Sequence, residues 1–418
     1  MKILFLADFA GALPRAIHNI GHDIRIFIPG YGCIDRTQST PFPVYFFDDE
    51  RFIKRQEVGK DFPGNQEAFG AYCRAVFPLI EKLDWMPDVV HANDWQTGPV
   101  IKGIKEIRGS RPEFSRTATI FSIHNIASQR DYGSVNFMRQ GIESADAITT
   151  VSETYAREIQ TNEYGSGLEN LLKQRTKDLH GILNGVDYES WNPATDLHLV
   201  RKYNRRTLSL RPQNKGALQK ELGLPVDPSI PLIGIVSRLD NQKGFDLVLQ
   251  VIDDILCLDV QLVVLGTGDP RYQRLFTQAQ KKYPAKLCLK LDFDSGLAHR
   301  IYAGADMFLM PSKYEPCGLG QLIALRYGAI PIVRKTGGLA DTVKDNESGF
   351  VFEKYSEDDL FLTVKRAIAS FKDQKRWVEM QERVMGEDYS WDRSAKKYIA
   401  LYAKTLSRPC KNVRFSAT

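Results

Sequence analysis

The chain has 418 residues, a net charge of +5, 43% hydrophobic and 26% charged residues. This length favours two domains, and the composition is that of a soluble globular protein. The modest charge permits phosphate binding, whereas no basic run interleaved with aromatic residues indicates nucleic acid, and no stretch reaches the length of a transmembrane helix. Six cysteines without metal-site spacing favour buried, reduced thiols in a cytoplasmic protein.

The first half of the chain predicts a mostly parallel sheet, because apolar runs of strand length alternate with helix-length segments. The runs are residues 3–7, 24–28, 44–47, 89–90, 119–123 and 148–151. The first run is too short for a signal peptide and is interpreted as the first strand. No G-x-G-x-x-G segment follows it, so we expect no nicotinamide cofactor.

Two polar clusters follow strands in this half. One contains His91, Asp94 and Trp95, and the other ends in His124 and Asn125. A lone histidine more often packs or caps a strand, but two clusters at the carboxyl edge of one sheet favour a ligand site. Zinc bound by His91, Asp94 and His124 is a weaker alternative, because the spacing supplies no further ligand.

The second half predicts another α/β series. Residues 194–218 are polar, lack strand signals and are predicted to link the two domains. A buried strand at 231–237 then ends in Arg238, and Lys243 opens the next helix. Two cations there would neutralise a pyrophosphate leaving group without a metal. From the pattern alone, solvated surface side chains are the simpler interpretation.

A short strand further on leads to Asp292, Phe293 and Asp294. An Asp-x-Asp segment marks a metal site in some nucleotide-sugar enzymes, but the preceding cations already supply positive charge, so no metal is expected. Phe293 has two equally supported interpretations, a core residue at a strand end or a platform for a base.

Two consecutive strand–helix units carry the most specific pattern. Glu315 follows one strand, and Gly318 and Leu319 open the next helix. Gly337 and Gly338 open a helix after the following strand. Free N–H groups at helix starts suit an anion or sugar hydroxyls, and a carboxylate can accept two hydroxyls. Two neighbouring helix starts therefore predict a sugar-phosphate site.

These segments resemble those of bacterial glycogen synthases and plant starch synthases, which are retaining glucosyltransferases of the GT-B fold. The matching segments are His91-x-x-Asp-Trp95, His124-Asn125, Asn184-Gly-Val-Asp187, Ser237-Arg-Leu-x-x-Gln-Lys-Gly244, Glu315-Pro-Cys-Gly-Leu319 and Arg334-Lys-Thr-Gly-Gly-Leu-Ala-Asp-Thr-Val343. The resemblance implies two Rossmann-like domains facing a cleft, at 1–200 and 201–385. A C-terminal helix and tail, 386–418, would cross back onto the first domain.

The resemblance implies transfer of glucose from ADP-glucose to the non-reducing end of an α-1,4-glucan with retention, helped by the leaving phosphate. The implied roles are diphosphate binding by Arg238, Lys243, Thr336, Gly337 and Gly338, sugar binding by Glu315, Cys317, Gly318 and Leu319, and base stacking by Phe293. His124 would lie against the sugar near the reacting carbon, with Asp94 and Asn184 completing that pocket; Asn184 would contact the donor sugar, and Asn125 is a further substrate-binding residue. A simple turn is the alternative for Asn184 and the glycine after it. No carboxylate pair of a hydrolase, no lysine placed for pyridoxal phosphate and no other cofactor is expected.

The chain also departs from the family pattern. The Lys-x-Gly-Gly-Leu loop after the first strand is missing, since only Gly11 remains there, and the loop after Asn125 is shortened. Three interpretations stay open: a working synthase with a more open acceptor site, a weakened or inactive paralogue that binds nucleotide or glucan, and a GT-B enzyme with another acceptor. ADP-glucose is the bacterial norm, but the sequence does not settle it against UDP-glucose, nor the oligomeric state.

Overall fold

A computed structural model describes residues 1–8, 11–37, 39–58, 62–129, 131–132 and 135–408. The chain divides into two compact units: unit 1 is Met1–Asn184 with Trp391–Thr418, and unit 2 is Gly185–Ser390. Parts of the two shortened loops (residues 9, 10, 130, 133 and 134) and Cys410 lie outside the described residues.

Unit 1 contains a seven-stranded parallel sheet in the order β3-β2-β1-β4-β5-β8-β9, and a short antiparallel pair, β6 and β7. Its strands are β1 (Lys2–Leu6), β2 (Asp23–Pro29), β3 (Val44–Phe47), β4 (Val89–Asn93), β5 (Ala118–Ile123), β6 (Asp131–Tyr132), β7 (Val135–Asn136), β8 (Ala147–Thr150) and β9 (Leu179–Gly181). Its helices are α1 (Leu13–Asn19), α2 (Glu50–Ile53), α3 (Asn65–Lys82), α4 (Gly98–Ile107), α5 (Phe137–Ser144), α6 (Glu153–Glu158) and α7 (Glu169–Gln174), with 3-10 turns at Trp95–Thr97, Pro112–Phe114, Ile126–Ser128 and Thr176–Asp178. The predicted parallel sheet is confirmed.

Unit 2 contains a six-stranded parallel sheet in the order β12-β11-β10-β13-β14-β15. Its strands are β10 (Leu232–Val236), β11 (Gln261–Leu265), β12 (Leu287–Lys290), β13 (Met307–Met310), β14 (Ile330–Arg334) and β15 (Phe350–Phe352). Its helices are α8 (Pro212–Glu221), α9 (Phe245–Gln250), α10 (Ile252–Cys257), α11 (Pro270–Lys282), α12 (Ser295–Gly304), α13 (Gly320–Tyr327), α14 (Gly337–Thr342), α15 (Glu357–Lys372) and α16 (Gln374–Met385), with 3-10 turns at Arg205–Leu210 and Asn241–Lys243.

The last helix, α17 (Trp391–Leu406), follows unit 2 in sequence but belongs to unit 1. Ala395, Tyr398 and Tyr402 lie three and four residues apart, so they share one face, and all three are buried in the core of unit 1. The predicted return of a C-terminal helix to the first domain is confirmed.

The segment predicted as a linker, 194–218, is instead packed into unit 2, whose boundary lies before it at Asn184. The Tyr203 hydroxyl and the Arg211 Nε both donate to the Tyr327 carbonyl, at 2.8 and 3.0 Å. The polar residues of this segment therefore form hydrogen bonds with buried backbone groups. Their polar composition does not indicate an exposed linker, which is why the prediction was wrong.

Among the described residues, no helix combines the length and the apolar character that a membrane span requires. Five cysteines in the described part of the chain are free thiols; Cys73, Cys288 and Cys317 are buried, whereas Cys33 and Cys257 are exposed. The expectation of buried thiols therefore holds for three of them.

Candidate active site

The carboxyl ends of β4 and β5 bring the two predicted clusters of unit 1 together. The strands pair in parallel, with Asn93 opposite Ser122. Asp94 Oδ1 accepts the backbone N–H of His124 at 2.8 Å, and His124 Nε2 lies 3.0 Å from Asn93 Oδ1. Asn125 accepts the N–H of Ala127 and caps the following 3-10 turn. These groups line the edge of the sheet where ligands bind in open α/β folds.

Asp94 is held in an unfavourable backbone conformation, with φ +57° and ψ 177°. This region is almost restricted to glycine and costs about 1–3 kcal/mol. This backbone conformation turns the chain at the end of β4, and the Asp94 carboxylate accepts the N–H of His124 just after β5. Burial raises the pKa of Asp94, and the nearby His124 partly offsets the rise. A strained, partly desolvated carboxylate at a strand end is a feature typical of functional sites.

His91 does not belong to this edge, which corrects the prediction from sequence. It lies inside β4 and is fully buried. Its Nε2 is 2.6 Å from Ser122 Oγ, and its Nδ1 is 2.6 Å from the hydroxyl of Tyr402 on α17. Burial lowers the pKa of His91 to about 3, so the ring is neutral at physiological pH.

The same contacts remove His91 from the zinc alternative, because both ring nitrogens are already engaged. In the described part of the chain, no group of three His, Cys, Asp or Glu side chains could hold a metal ion. Trp95 is also buried, packed against Phe69 and Phe137.

Asp8 is a carboxylate that the sequence reasoning missed. It follows β1, which lies between β2 and β4, the point where the strand order reverses. The hydroxyl of Tyr31 donates to Asp8 Oδ1, and Gln96 Nε2 lies 3.4 Å from Oδ2. Burial, followed by the charge of Asp8, raises the pKa of Tyr31 well above its usual value. The rule that singled out Asp94, a polar residue directly after a strand, would also have found Asp8.

Asn184 is the last residue of unit 1. Its side-chain Oδ1 is buried, and no described residue donates a hydrogen bond to it. Unpaired buried oxygens are rare in native proteins, so this atom has a free accepting capacity that a ligand hydroxyl would satisfy.

Unit 2 has a pocket of about 270 Å³ at the carboxyl ends of β10 and β13. These neighbouring strands lie where the order of the second sheet reverses, the usual ligand position in such sheets. The lining contains four predicted site residues, namely Arg238, Lys243, Glu315 and Leu319. The structure therefore brings the two predicted cations and the predicted sugar-binding carboxylate into one pocket.

Lys243 and Glu315 form an ion pair there, with Nζ 2.8 Å from Oε2 and side chains only 18% and 7% exposed. Asp240 caps the 3-10 turn that carries Lys243, and Gly244 follows with φ +75°. A Cβ at Gly244 would lie 2.0 Å from the carbonyl oxygen of Pro311, so only glycine lets the two loops approach this closely. That close approach places the lysine beside the carboxylate.

Arg238 lies at the pocket but is mostly solvated, with a side chain 74% exposed. Its Nη2 is 3.4 Å from Asp240 Oδ2, and exposed pairs of this kind contribute little to stability. The Arg238 guanidinium can therefore leave Asp240 and bind an anion at a small cost in free energy.

The glycine pair that opens α14 packs closely against the loop that contains Glu315 and Cys317. A Cβ at Gly337 or Gly338 would lie 1.9 Å from the carbonyl oxygen of Glu315 or Cys317. The N–H of Gly338 donates to the carbonyls of Glu315 and Pro316, at 3.1 and 3.2 Å. The N–H of Gly338 is used within the protein, so its predicted presentation to a diphosphate is corrected, whereas the same role for Gly337 stays a prediction. Close packing of backbone on backbone requires glycine at both positions.

Gln321 is a second residue that sequence reasoning missed. It is fully buried, and its Nε2 lies 3.0 Å from the carbonyl oxygen of Cys317, 2.8 Å from that of Gly318 and 3.2 Å from Thr342 Oγ1. Helix α13 begins at Gly320 rather than at Gly318, whose φ is +72°. Gln321 thus fixes the loop that ends in Leu319, which is 47% exposed.

Two further predicted residues have contrasting environments. Phe293 is 91% exposed, so its interpretation as a core residue is wrong, while stacking on a base stays a prediction. Asp292 and Asp294 bond to the backbone N–H groups of Phe293 and Leu297, at 2.7 and 2.8 Å. Thr336 is buried at the start of α14.

Comparison with known proteins defines the class first. A starch synthase catalytic domain model matches residues 5–174, and a group 1 glycosyl transferase model matches residues 218–384. Two parallel-sheet Rossmann-like domains are the GT-B architecture, and the chain is a glycosyltransferase.

Full-length relatives define the family. The glycogen synthase of Desulforudis audaxviator is 41% identical, covering 96% of this chain and 93% of the relative, and that of Thermotoga maritima is 40% identical, covering 97% and 96%. The catalytic domain of Starch Synthase IV from Arabidopsis thaliana, bound to ADP and acarbose, superposes with a TM-score of 0.88 at 31% identity, covering 98% of this chain and 100% of that one. The chain belongs to the glycogen synthase and starch synthase family.

The alignments also bear on the shortened loops. They span 468 and 472 positions, whereas the chain has 418 residues, so the chain contains internal gaps relative to these relatives. The location of those gaps, at the loops after β1 and after Asn125, remains a prediction.

Proposed function

We propose that the protein is a glycogen synthase that transfers glucose from ADP-glucose to the non-reducing end of an α-1,4-glucan with retention of configuration. The observation that carries the proposal is the pocket of unit 2, where Arg238, Lys243 and Glu315 converge. Its family membership and its similarity to a plant starch synthase that binds ADP and acarbose support this choice of donor and acceptor.

The donor is bound by unit 2. A diphosphate carries charge that matches the exposed Arg238 and the adjacent Lys243, and charge-assisted hydrogen bonds from such groups are the stronger ones. Glu315 accepts hydroxyls of the glucose, beside a loop held by Gln321. Phe293, exposed beyond β12, stacks on the base.

The acceptor is assigned to the carboxyl edge of unit 1. Asp94, His124, Asn125 and the unpaired Oδ1 of Asn184 offer neutral or accepting groups that suit the hydroxyls of an uncharged glucan. His124 serves the sugar near the reacting carbon, as the family resemblance implies.

The bonds, electron pairs and protons of the proposed transfer balance without an added cofactor. The bond between glucose C1 and the diphosphate oxygen breaks, and its electron pair leaves with ADP. The acceptor hydroxyl oxygen bonds to C1 on the same face, and its proton passes to the leaving phosphate. Arg238 and Lys243 stabilise the negative charge that develops on that phosphate.

The test is incorporation of labelled glucose into glycogen from ADP-glucose, with UDP-glucose in parallel. Incorporation from ADP-glucose is the expected result. Incorporation from UDP-glucose alone would overturn the choice of donor.

The internal gaps favour one second candidate, a paralogue that binds nucleotide or glucan with weakened or absent turnover. It predicts measurable ADP binding by calorimetry with no incorporation from either nucleotide sugar. Under either candidate function we propose that the protein works in the cytoplasm, in keeping with free thiols at the five described cysteines.

A further inference from the structure

The two oxygens of the Glu315 carboxylate have different surroundings. Oε2 accepts a hydrogen bond from Lys243 Nζ at 2.8 Å and a second from Ser312 Oγ at 2.9 Å. Within the described ranges of the chain, no protein group donates to Oε1. Ser312 is 1% exposed and Glu315 is 5% exposed, and both line the pocket of unit 2.

This asymmetry orients the carboxylate. Two donors on one oxygen fix the rotation of the carboxyl group, which otherwise turns freely about its terminal bond. The remaining oxygen keeps both of its lone pairs for a ligand. A sugar with two neighbouring hydroxyls can then be held by Oε1 without any rearrangement of Glu315.

The two donors differ in what else they can do. Lys243 is the cation that the proposed function assigns to the diphosphate, so a bound donor competes for its ammonium group. Ser312 is neutral, nearly inaccessible and three residues from Glu315 on the same loop. A bound diphosphate offers the Ser312 hydroxyl no charge to pair with, so nothing draws it away from Oε2.

We propose that Ser312 is a positioning residue that anchors Glu315 Oε2, so that Oε1 recognises the glucose of the donor. Lys243 is shared between the carboxylate and the diphosphate, and Ser312 keeps the carboxylate aligned while the lysine changes partner. This inference rests on the proposed function and deepens it, because it names the residue that makes the site selective for the sugar as distinct from the nucleotide.

A purely local role for Ser312 gives a different expectation. If its hydroxyl only stabilised the loop after β13, its loss would weaken ADP and ADP-glucose to the same extent. A positioning role affects only the ligand that carries the sugar. The ratio of the two affinities therefore distinguishes the two roles, and it does not require turnover.

The experiment compares Ser312→Ala with the unchanged protein by calorimetric titration with ADP and with ADP-glucose, alongside KM and kcat. We expect ADP affinity within about twofold of the unchanged protein and ADP-glucose affinity weakened about tenfold, the effect of one hydrogen bond to a charged group. Ser312→Cys, with a weaker donor of similar size, should fall between serine and alanine.

The matched control is Ser348→Ala. Ser348 is a buried serine of unit 2 whose hydroxyl accepts the N–H of Lys344 at 2.8 Å, and it does not line the pocket. Its replacement should leave the ratio of ADP to ADP-glucose affinity unchanged. The melting temperatures of both alanine variants show whether either has lost its fold.

The outcomes separate this inference from the proposed function. Equal weakening of ADP and ADP-glucose in Ser312→Ala, or no change in either, overturns the positioning role. Absence of glycogen synthesis by the unchanged protein overturns the proposed function, yet the two titrations still decide the role of Ser312. If the unchanged protein binds neither ligand, both proposals fall.

Discussion

The carboxyl edges of the two sheets hold their polar side chains in different ways. In unit 2 the cation Lys243 and the anion Glu315 form an ion pair at 2.8 Å, and both side chains are mostly buried. In unit 1, Asp94 accepts a backbone N–H and His124 bonds an amide oxygen. Unit 2 thus presents an ion pair and an exposed cation, which suit the anionic donor that we propose, and unit 1 presents hydrogen-bonding groups and the Asp94 carboxylate, which suit the hydroxyls of the proposed glucan acceptor. Under the proposed function, the same fold serves two ligands because the strand ends of the two units carry different chemistry.

The largest expected effect is at Glu315. Glu315→Ala should lower kcat at least about a thousandfold, because the sugar loses its acceptor and Lys243 keeps an uncompensated charge. Labelled glucose incorporation measures the loss. The control is Glu353→Ala, whose carboxylate forms an exposed pair with Lys335. Near-normal activity in Glu315→Ala would end its assignment to the sugar.

Lys243 should control nucleotide affinity. Lys243→Ala is expected to weaken ADP binding about 10- to 100-fold, the effect of losing one hydrogen bond to a charged group, and to reduce the salt dependence of binding. Calorimetry at two salt concentrations measures both effects. Lys335→Ala, which removes an exposed lysine, is the matched control. Unchanged ADP affinity would remove Lys243 from the donor site.

Asp94 tests the other side of the comparison. Asp94→Asn keeps an acceptor for the N–H of His124 but removes the negative charge. We expect kcat to fall about tenfold while ADP affinity stays within about twofold, because the residue lies in unit 1. Steady-state kinetics combined with ADP titration gives both values. A loss of ADP affinity equal to that of Lys243→Ala would break the division of tasks between the two edges.

His91 should affect stability rather than chemistry. Its folded-state pKa of about 3 lies below the value of about 6.5 for an exposed histidine, so the unfolded chain binds more protons between these values. The free energy of unfolding should therefore decrease as the pH falls below about 6.5, by up to about 1.4 kcal/mol per unit from this group.

Urea unfolding at pH 6.5 and 5 measures that dependence. His91→Gln should be less stable at both values but should show a shallower decrease between them. Parallel slopes in the two proteins would show that His91 is not the neutral, buried group described here.

The sequence by itself determined the fold class and the location of the ligand-binding edges. Apolar runs identify buried strands locally, and a residue that directly follows such a run must lie at a sheet edge. For that reason Asp94 and His124 were predicted from residue order, and Glu315 from its place between a strand and a helix start. Arg238 and Lys243 became site residues only through the resemblance to the family, because residue order alone favoured solvated side chains. The motif of unit 2 added the chemistry, because few residue combinations serve both a diphosphate and a sugar.

Only the tertiary structure decided which partner satisfies each polar group. His91 is bonded by Tyr402, 311 residues away, and this contact takes the ring out of the ligand edge. Lys243 forms an ion pair with Glu315, 72 residues further along the chain, and the N–H of Gly338 donates to the carbonyls of Glu315 and Pro316. The physical reason is that a strand pattern records burial, which is local, whereas hydrogen-bond partners depend on contacts between elements that are distant in the sequence.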